Sequence, residues 1–230
     1  RSLEVPVQGP TMIHEFAITQ GHVIFLDLPV IFDRELAMRG TMPYRWSDSY
    51  GARLGILPRG MPIAALRWVE VEPCYVYHVA NAFETADGEI VVDAAWYAEH
   101  WRGGPSANSF DTARMKRWRI TPNTSQAREE FLDERTVEFP RVDDRRTGLR
   151  HRHVYAVATG HDLAGGNYHE LIHYDLELGI SKVHDFGSGL PSEFSIASVG
   201  DEPDSDCVAM GFVFDPERGS SDLVILDAMN

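Results

Sequence analysis

His14 stands in the run Met12-Ile13-His14-Glu15-Phe16-Ala17-Ile18-Thr19, and His78 in Tyr77-His78-Val79-Ala80-Asn81-Ala82-Phe83-Glu84. Each run is apolar and strand-like. An imidazole titrates near neutral pH and is the commonest metal ligand. Burying one among apolar neighbours requires a compensating partner, and a metal ion is one such partner. The two runs are far apart in the chain, so a shared metal centre has to be assembled by distant strands. Glu138, between Val137 and Phe139-Pro140, raises the same question for a carboxylate, which is costly to bury unless paired.

The remaining candidates carry blander readings. His151 and His153 alternate beside Arg150 and Arg152 and read as solvated or carboxylate-bound. His161, His169, His173 and His184 fall on strands and turns, and His22 and His100 on surface or edge positions. Asn81 and Glu84 read as fixing a turn after His78. Cys74 reads as a small buried hydrophobe. Arg141-Val142-Asp143-Asp144-Arg145-Arg146 reads as a solvated charge run whose local pairs contribute little. Phe16, Phe83 and Trp96 suit an apolar tunnel, although aromatic core packing is the stronger reading.

The elements that must position these residues are β throughout. Val23 to Leu26 is a strand core rich in β-branched and aromatic residues. Three hairpins are predicted. Tyr75–Glu84 and Glu89–Tyr97 flank Ala86-Asp87-Gly88, and His169–Leu176 and Ile180–Phe186 flank Glu177-Leu178-Gly179. Cys207–Phe214 and Asp222–Asp227 flank Pro216 to Ser220. Arg117–Ile120, Thr136–Phe139 and Val154–Ala158 supply further strands. Only Asp93–Trp101 and Gln126–Glu134 suggest short helical turns. Frequent short strands point to a barrel, sandwich or propeller, and the hairpins without sequence repeats favour an irregular propeller. Long connections such as Asp33 to Arg53 are expected as loops over one face. Residues 1–230 are expected to form part of one domain.

Composition narrows the function. The chain has 230 residues and a formal net charge of −14, from 21 basic and 35 acidic residues. Nucleic-acid binding needs a basic patch and is not expected. Lysine occurs only at Lys116 and Lys182. Cys74 and Cys207 make no disulfide framework, and a reducing compartment, the cytoplasm, is the default. No run of apolar residues is long enough to span a membrane, and no signal peptide is recognisable. Peripheral membrane contact stays open, with the acidic charge arguing against attraction to anionic headgroups.

Taken in order, these segments resemble the carotenoid cleavage oxygenases, a family that includes stilbene-cleaving dioxygenases and retinoid isomerases. Met12 to Thr19 resembles the family's histidine segment followed by Phe-Ala-Ile-Thr. Tyr77 to Glu84 resembles its His-x-x-Asn-Ala-aromatic-Glu segment, and Val137 to Arg141 its Glu-Phe-Pro-Arg segment. Pro191-Ser192-Glu193 resembles its Gly/Ser-Glu-Pro segment, and Ser221 to Ala228 the strand before its last ligand. Each match is weak alone; five in order are strong.

The resemblance implies a seven-bladed β-propeller, all-β, holding a non-haem Fe(II) on four histidines. This chain would form a partial propeller without the first blades and the last strand. His14 and His78 would be the second and third ligands, with the first upstream of Arg1 and the fourth downstream of Asn230. Glu138 and Glu193 would hydrogen-bond ligand imidazoles on the side away from the metal, supplying charge that four neutral rings leave uncompensated. No further catalytic residue is implied. The partners would be O2 and an apolar conjugated substrate, a carotenoid, apocarotenoid or stilbene. Two departures stand out: Glu15 where the family usually has Asp, and Phe194 where it usually has Pro. Two alternatives are a propeller scaffold that has lost its metal, and an isomerohydrolase-like enzyme of the same family.

Overall fold

The structure, a computed structural model, describes residues 2–102, 113–159, 168–200 and 206–229. It is built of antiparallel strands. The first sheet takes β1 (Ala17–Ile18) and β2 (His22–Asp27). A side hairpin follows, β3 (Val30–Phe32) paired with β4 (Tyr44–Trp46), and then β5 (Arg53–Pro58) and β6 (Arg67–Glu70) complete the sheet in the order β1-β2-β5-β6. The Asp33–Arg53 connection is therefore not a plain loop. It carries α1 (Arg34–Met38), whose first turn is capped by Asp33 accepting from the amides of Glu35 and Leu36.

The next strands are β7 (Tyr75–Glu84), β8 (Ile90–Tyr97), β9 (Arg114–Ile120) and β10 (Arg128–Arg141). They continue into β11 (His153–Thr159), β12 (Tyr168–Asp175) and β13 (Ile180–Asp185), a meander of seven strands in chain order. The long β10 serves two groups of strands. Its first half pairs with β9, and its second half, from Val137, pairs with β11. The last sheet has β14 (Leu190–Pro191) and β15 (Ser195–Ser198) along one edge of β16 (Cys207–Asp215), and β17 (Ser220–Asp227) along the other.

Three core clusters lie between these layers. Ile24, Leu54 and Ile56 pack with Val76, Val92 and Trp118; Met115 packs with Val137 and Val154; Tyr155 and Val157 pack with Phe194 and Ala209. Burying each large side chain of this kind contributes about 1.5–3 kcal/mol. Four antiparallel layers stacked in this way are propeller blades. Their first strands adjoin one another: the amide of Val79 in β7 reaches Glu15 just before β1, and Asp143, just after β10, makes a parallel bridge with Ile196 in β15. No closed ring forms among the described residues.

The predicted hairpins are present, and Gly88, Gly179 and Gly219 take the left-handed conformation at their turns. The two predicted helical turns are not. Asp93–Trp101 contains the end of β8, every residue of which is buried, so both faces are covered and strand alternation disappears. Gln126–Glu134 contains the start of β10. Its charges are cross-strand partners: Glu130 pairs with Arg119, and Glu129 with the buried Lys116.

Candidate metal centre

The first strands of successive blades carry the candidate residues. His14 precedes β1, His78 lies in β7, Glu138 in the second half of β10, and Glu193 in the break between β14 and β15. His14 is not inside a strand, and it is exposed. Its segment is tethered instead, by the Met12 amide donating to Val30 O (2.8 Å) and the Tyr75 hydroxyl donating to Met12 O (3.3 Å). His78 is half-buried in a strand whose register with β8 shifts on both sides of Val79. Such bulges re-aim side chains. The ring centroids of His14 and His78 stand 5.3 Å apart and nearly perpendicular.

Glu138 is buried and fully engaged. One oxygen lies 2.7 Å from His78 Nδ1 and accepts from the Phe139 amide at 2.6 Å; the other accepts from the Tyr97 hydroxyl at 2.6 Å. The backbone is bent to allow this. Phe139 has φ of 53°, rare for a residue other than glycine, and the ladder to β11 shifts between Glu138 and Arg141. The Phe139 ring returns to lie 5.0 Å from that of His78. In the neutral ring, a carboxylate at Nδ1 favours the tautomer with its proton there, which leaves the Nε2 lone pair for a metal.

Acidic groups dominate the surroundings. Burial works against a charged His78, but the hydrogen bond and charge of Glu138, helped by Glu15 and Glu193, leave its pKa raised. Burial raises the pKa of Glu15, opposed by its bond from the Val79 amide and by the charges of His78 and Arg141. Glu193 is paired with Arg141, whose Nε lies 2.7 Å from its Oε1. One imidazole backed by a carboxylate, with a second ring 5.3 Å away between centroids, offers a divalent cation two nitrogen ligands. Among the described residues, no group of three or more His, Cys, Asp or Glu could hold a metal ion, so these two histidines could supply only part of a coordination shell.

Other expectations need correction. His100 is buried, not at the surface; its Nε2 lies 2.7 Å from the Tyr77 hydroxyl, and burial pushes its pKa down to about 4. His151 is carboxylate-bound, one of the two expected outcomes: it is buried against Asp93 (3.0 Å), which also takes a bidentate bond from Arg117. His153 is buried against His173 at 2.9 Å. His22 pairs with Glu84, His169 approaches Gly189 O, and His184 is exposed beside Phe186. His161 lies outside the described residues. Asn81 does not fix a turn after His78. Its side chain holds a distant loop, donating to Arg146 O and Leu149 O and accepting from Gly148 N, each at 2.9 Å. Glu84 accepts from Gly21 N and Thr19 Oγ1 at the β1–β2 turn. The Arg141–Arg146 run is not simply solvated: Val142 and Asp143 are buried, and Asp143 accepts from Ser198.

Cys74 is fully buried, as expected, and burial pushes its thiol pKa up. Trp96 and Phe83 are buried, packed against Phe131 and His151 respectively, while Phe16 is exposed. A cleft of about 250 Å³ is lined by His153, His173, Asp175, Lys182 and Met229, none of them a neighbour of the His14–His78 pair. Sequence reasoning missed Tyr97 and the Glu15–Val79 bond. For Glu15, its place next to His14 was the available signal; nothing marked Tyr97.

This arrangement has relatives. The family described as RPE65, retinal pigment epithelial membrane protein, matches residues 1–230, and the chain belongs to it. It is 28% identical over 279 residues to a carotenoid cleavage oxygenase of Mycobacterium tuberculosis, covering 99% of this chain and 55% of that one. It is 27% identical to resveratrol cleavage oxygenase 1 of Aspergillus fumigatus, covering 75% of this chain and 40% of that one. Among solved structures, cobalt-substituted Synechocystis ACO superposes with a TM-score of 0.82 at 26% identity, covering 96% of this chain and 48% of that one. The chain thus spans about half the length of the relatives it matches.

Proposed function

We propose that the protein is an Fe(II)-dependent dioxygenase that cleaves a conjugated C=C bond of a carotenoid, apocarotenoid or stilbene with O2 to give two carbonyl products. The observation that carries this reading is the bond from His78 Nδ1 to the buried Glu138, made beside His14. That geometry favours the tautomer whose Nε2 can bind a cation. The names of the relatives, which include carotenoid and resveratrol cleavage oxygenases, supply the reaction class. The cobalt-substituted neighbour supports a metal.

When bound, a ferrous ion supplies oxygen activation, the chemistry that amino-acid side chains lack. The chain's own residues position and tune. His14 and His78 hold the ion. Glu138 keeps the His78 proton at Nδ1, and Tyr97 and the Phe139 amide hold Glu138. Glu193 contributes negative charge to the site and is placed by Arg141. Ile13 and Phe16, both exposed, flank the His14–Glu15 pair and offer apolar surface to a hydrocarbon substrate. The setting is the cytoplasm or the cytoplasmic face of a membrane, and the blades belong to a seven-bladed propeller.

The test is iron stoichiometry in the full gene product, loaded anaerobically with Fe(II), beside His14→Ala and His78→Ala. About one iron per chain, lost in both variants, is the expected outcome. Iron no higher than background in the unaltered protein overturns the dioxygenase reading.

A further inference from the structure

We propose that Glu15 is a positioning residue that ties the His14 segment to the His78 strand and so sets the separation of the two imidazoles. This rests on the reading of both histidines as metal ligands.

The need for such a tie follows from the local backbone. His14 lies before β1, so no ladder fixes it. Of the two tethers at Met12, one runs to Val30 and the other comes from Tyr75 at the start of β7, across the Val76–Val79 register shift from Val79. On the other side, β7 is irregular around His78, with register shifts on both sides of Val79. Two ligands on two irregular segments need a direct link to hold a fixed spacing. Glu15 provides it: Oε2 accepts from the Val79 amide at 2.6 Å. The bond joins the residue after His14 to the residue after His78. An oxygen acceptor within hydrogen-bond distance of the amide is what the link consists of. The half-buried setting of Glu15 strengthens the bond.

The link also has a defined length. An aspartate is one methylene shorter, so it would either lose the amide or draw the His14 segment toward β7. The acceptor oxygen, rather than the charge, is what the geometry requires. A glutamine keeps that oxygen, and an alanine removes it.

The test uses the full gene product with Co(II) as the probe, comparing the unaltered protein with Glu15→Ala, Glu15→Gln, Glu15→Asp and His14→Ala. Three quantities are read: cobalt affinity, the visible spectrum of the bound ion, and amide hydrogen exchange at Val79 in the metal-free protein. Glu15→Ala is expected to lose protection at Val79, to bind cobalt roughly ten- to a hundredfold more weakly and to alter the spectrum. Glu15→Gln is expected to restore all three. Glu15→Asp is expected to retain cobalt with a shifted spectrum. Unchanged cobalt affinity and spectrum in Glu15→Ala, with cobalt still lost in His14→Ala, overturn this proposal alone. Glutamine as weak as alanine also overturns it, because charge would then be the operative property. No cobalt uptake by the unaltered protein overturns the metal reading and this proposal together.

Discussion

Single residues show how a polar group is made tolerable inside an apolar layer. Glu138 was legible as a carboxylate that needed partners, because Val137 and Phe139-Pro140 surround it in sequence. An imidazole partner was implied by the family resemblance, but the tyrosine that holds its other oxygen was not legible. Tyr97 comes from another strand, and no spacing rule connects the two positions. His100 was misread for the same reason: the residues that bury it, Tyr75, Tyr77 and Tyr97, belong to neighbouring strands. Its burial has a consequence for pH. Its folded pKa, about 4, lies below the ordinary histidine value of 6.5. The unfolded chain therefore takes up the proton first. Stability from the neutral ring is complete above about pH 6.5 and falls toward pH 4, by as much as about 1.4 kcal/mol per pH unit. Urea unfolding between pH 7 and pH 4 should show a steeper loss for the unaltered protein than for His100→Gln. Equal slopes would mean that His100 is not held neutral.

Elements explain which parts of the fold could be foreseen. Hairpins were legible because their turns are local: a glycine with positive φ sits between two apolar runs, and nothing distant is needed. The strands at β8 and the start of β10 were misread because their signals lie across the ladder. A strand covered on both faces loses its alternation, and a strand edged with charge looks helical until its partners on β9 are known. The departure at Phe194 has an element-scale explanation. Its ring lies over Gly211 in β16, where an added Cβ would come within 2.7 Å of Phe194 Cδ2. The bare backbone of β16 thus makes room for a large ring next to Glu193. Gly211→Ala should cost about 1–3 kcal/mol by overpacking, read as a lower urea midpoint. Pairing it with Phe194→Ala should recover part of the contact penalty. An additive double variant would show that the ring and the glycine do not share this space.

At the scale of the molecule, the site is a property of adjacency. His14, His78, Glu138 and Glu193 sit on four successive blades, each on or beside its first strand, so no single blade contains the proposed centre. The family resemblance made these residues legible in order, but not the ties between blades: Asn81 reaching to the 146–149 loop, Glu15 to Val79, and Asp143 to Ser198. The passage of β10 from one blade into the next has a mechanical consequence. Propeller blades joined by separate strands can be peeled away in turn. Here one uninterrupted strand is the outer edge of one blade and the inner edge of its neighbour, so neither can be stripped without tearing the other. Under a pulling force in an optical trap, β7 through β13 should rupture in one event, with a contour-length gain spanning both blades. Two separate steps would show that the strand does not weld them.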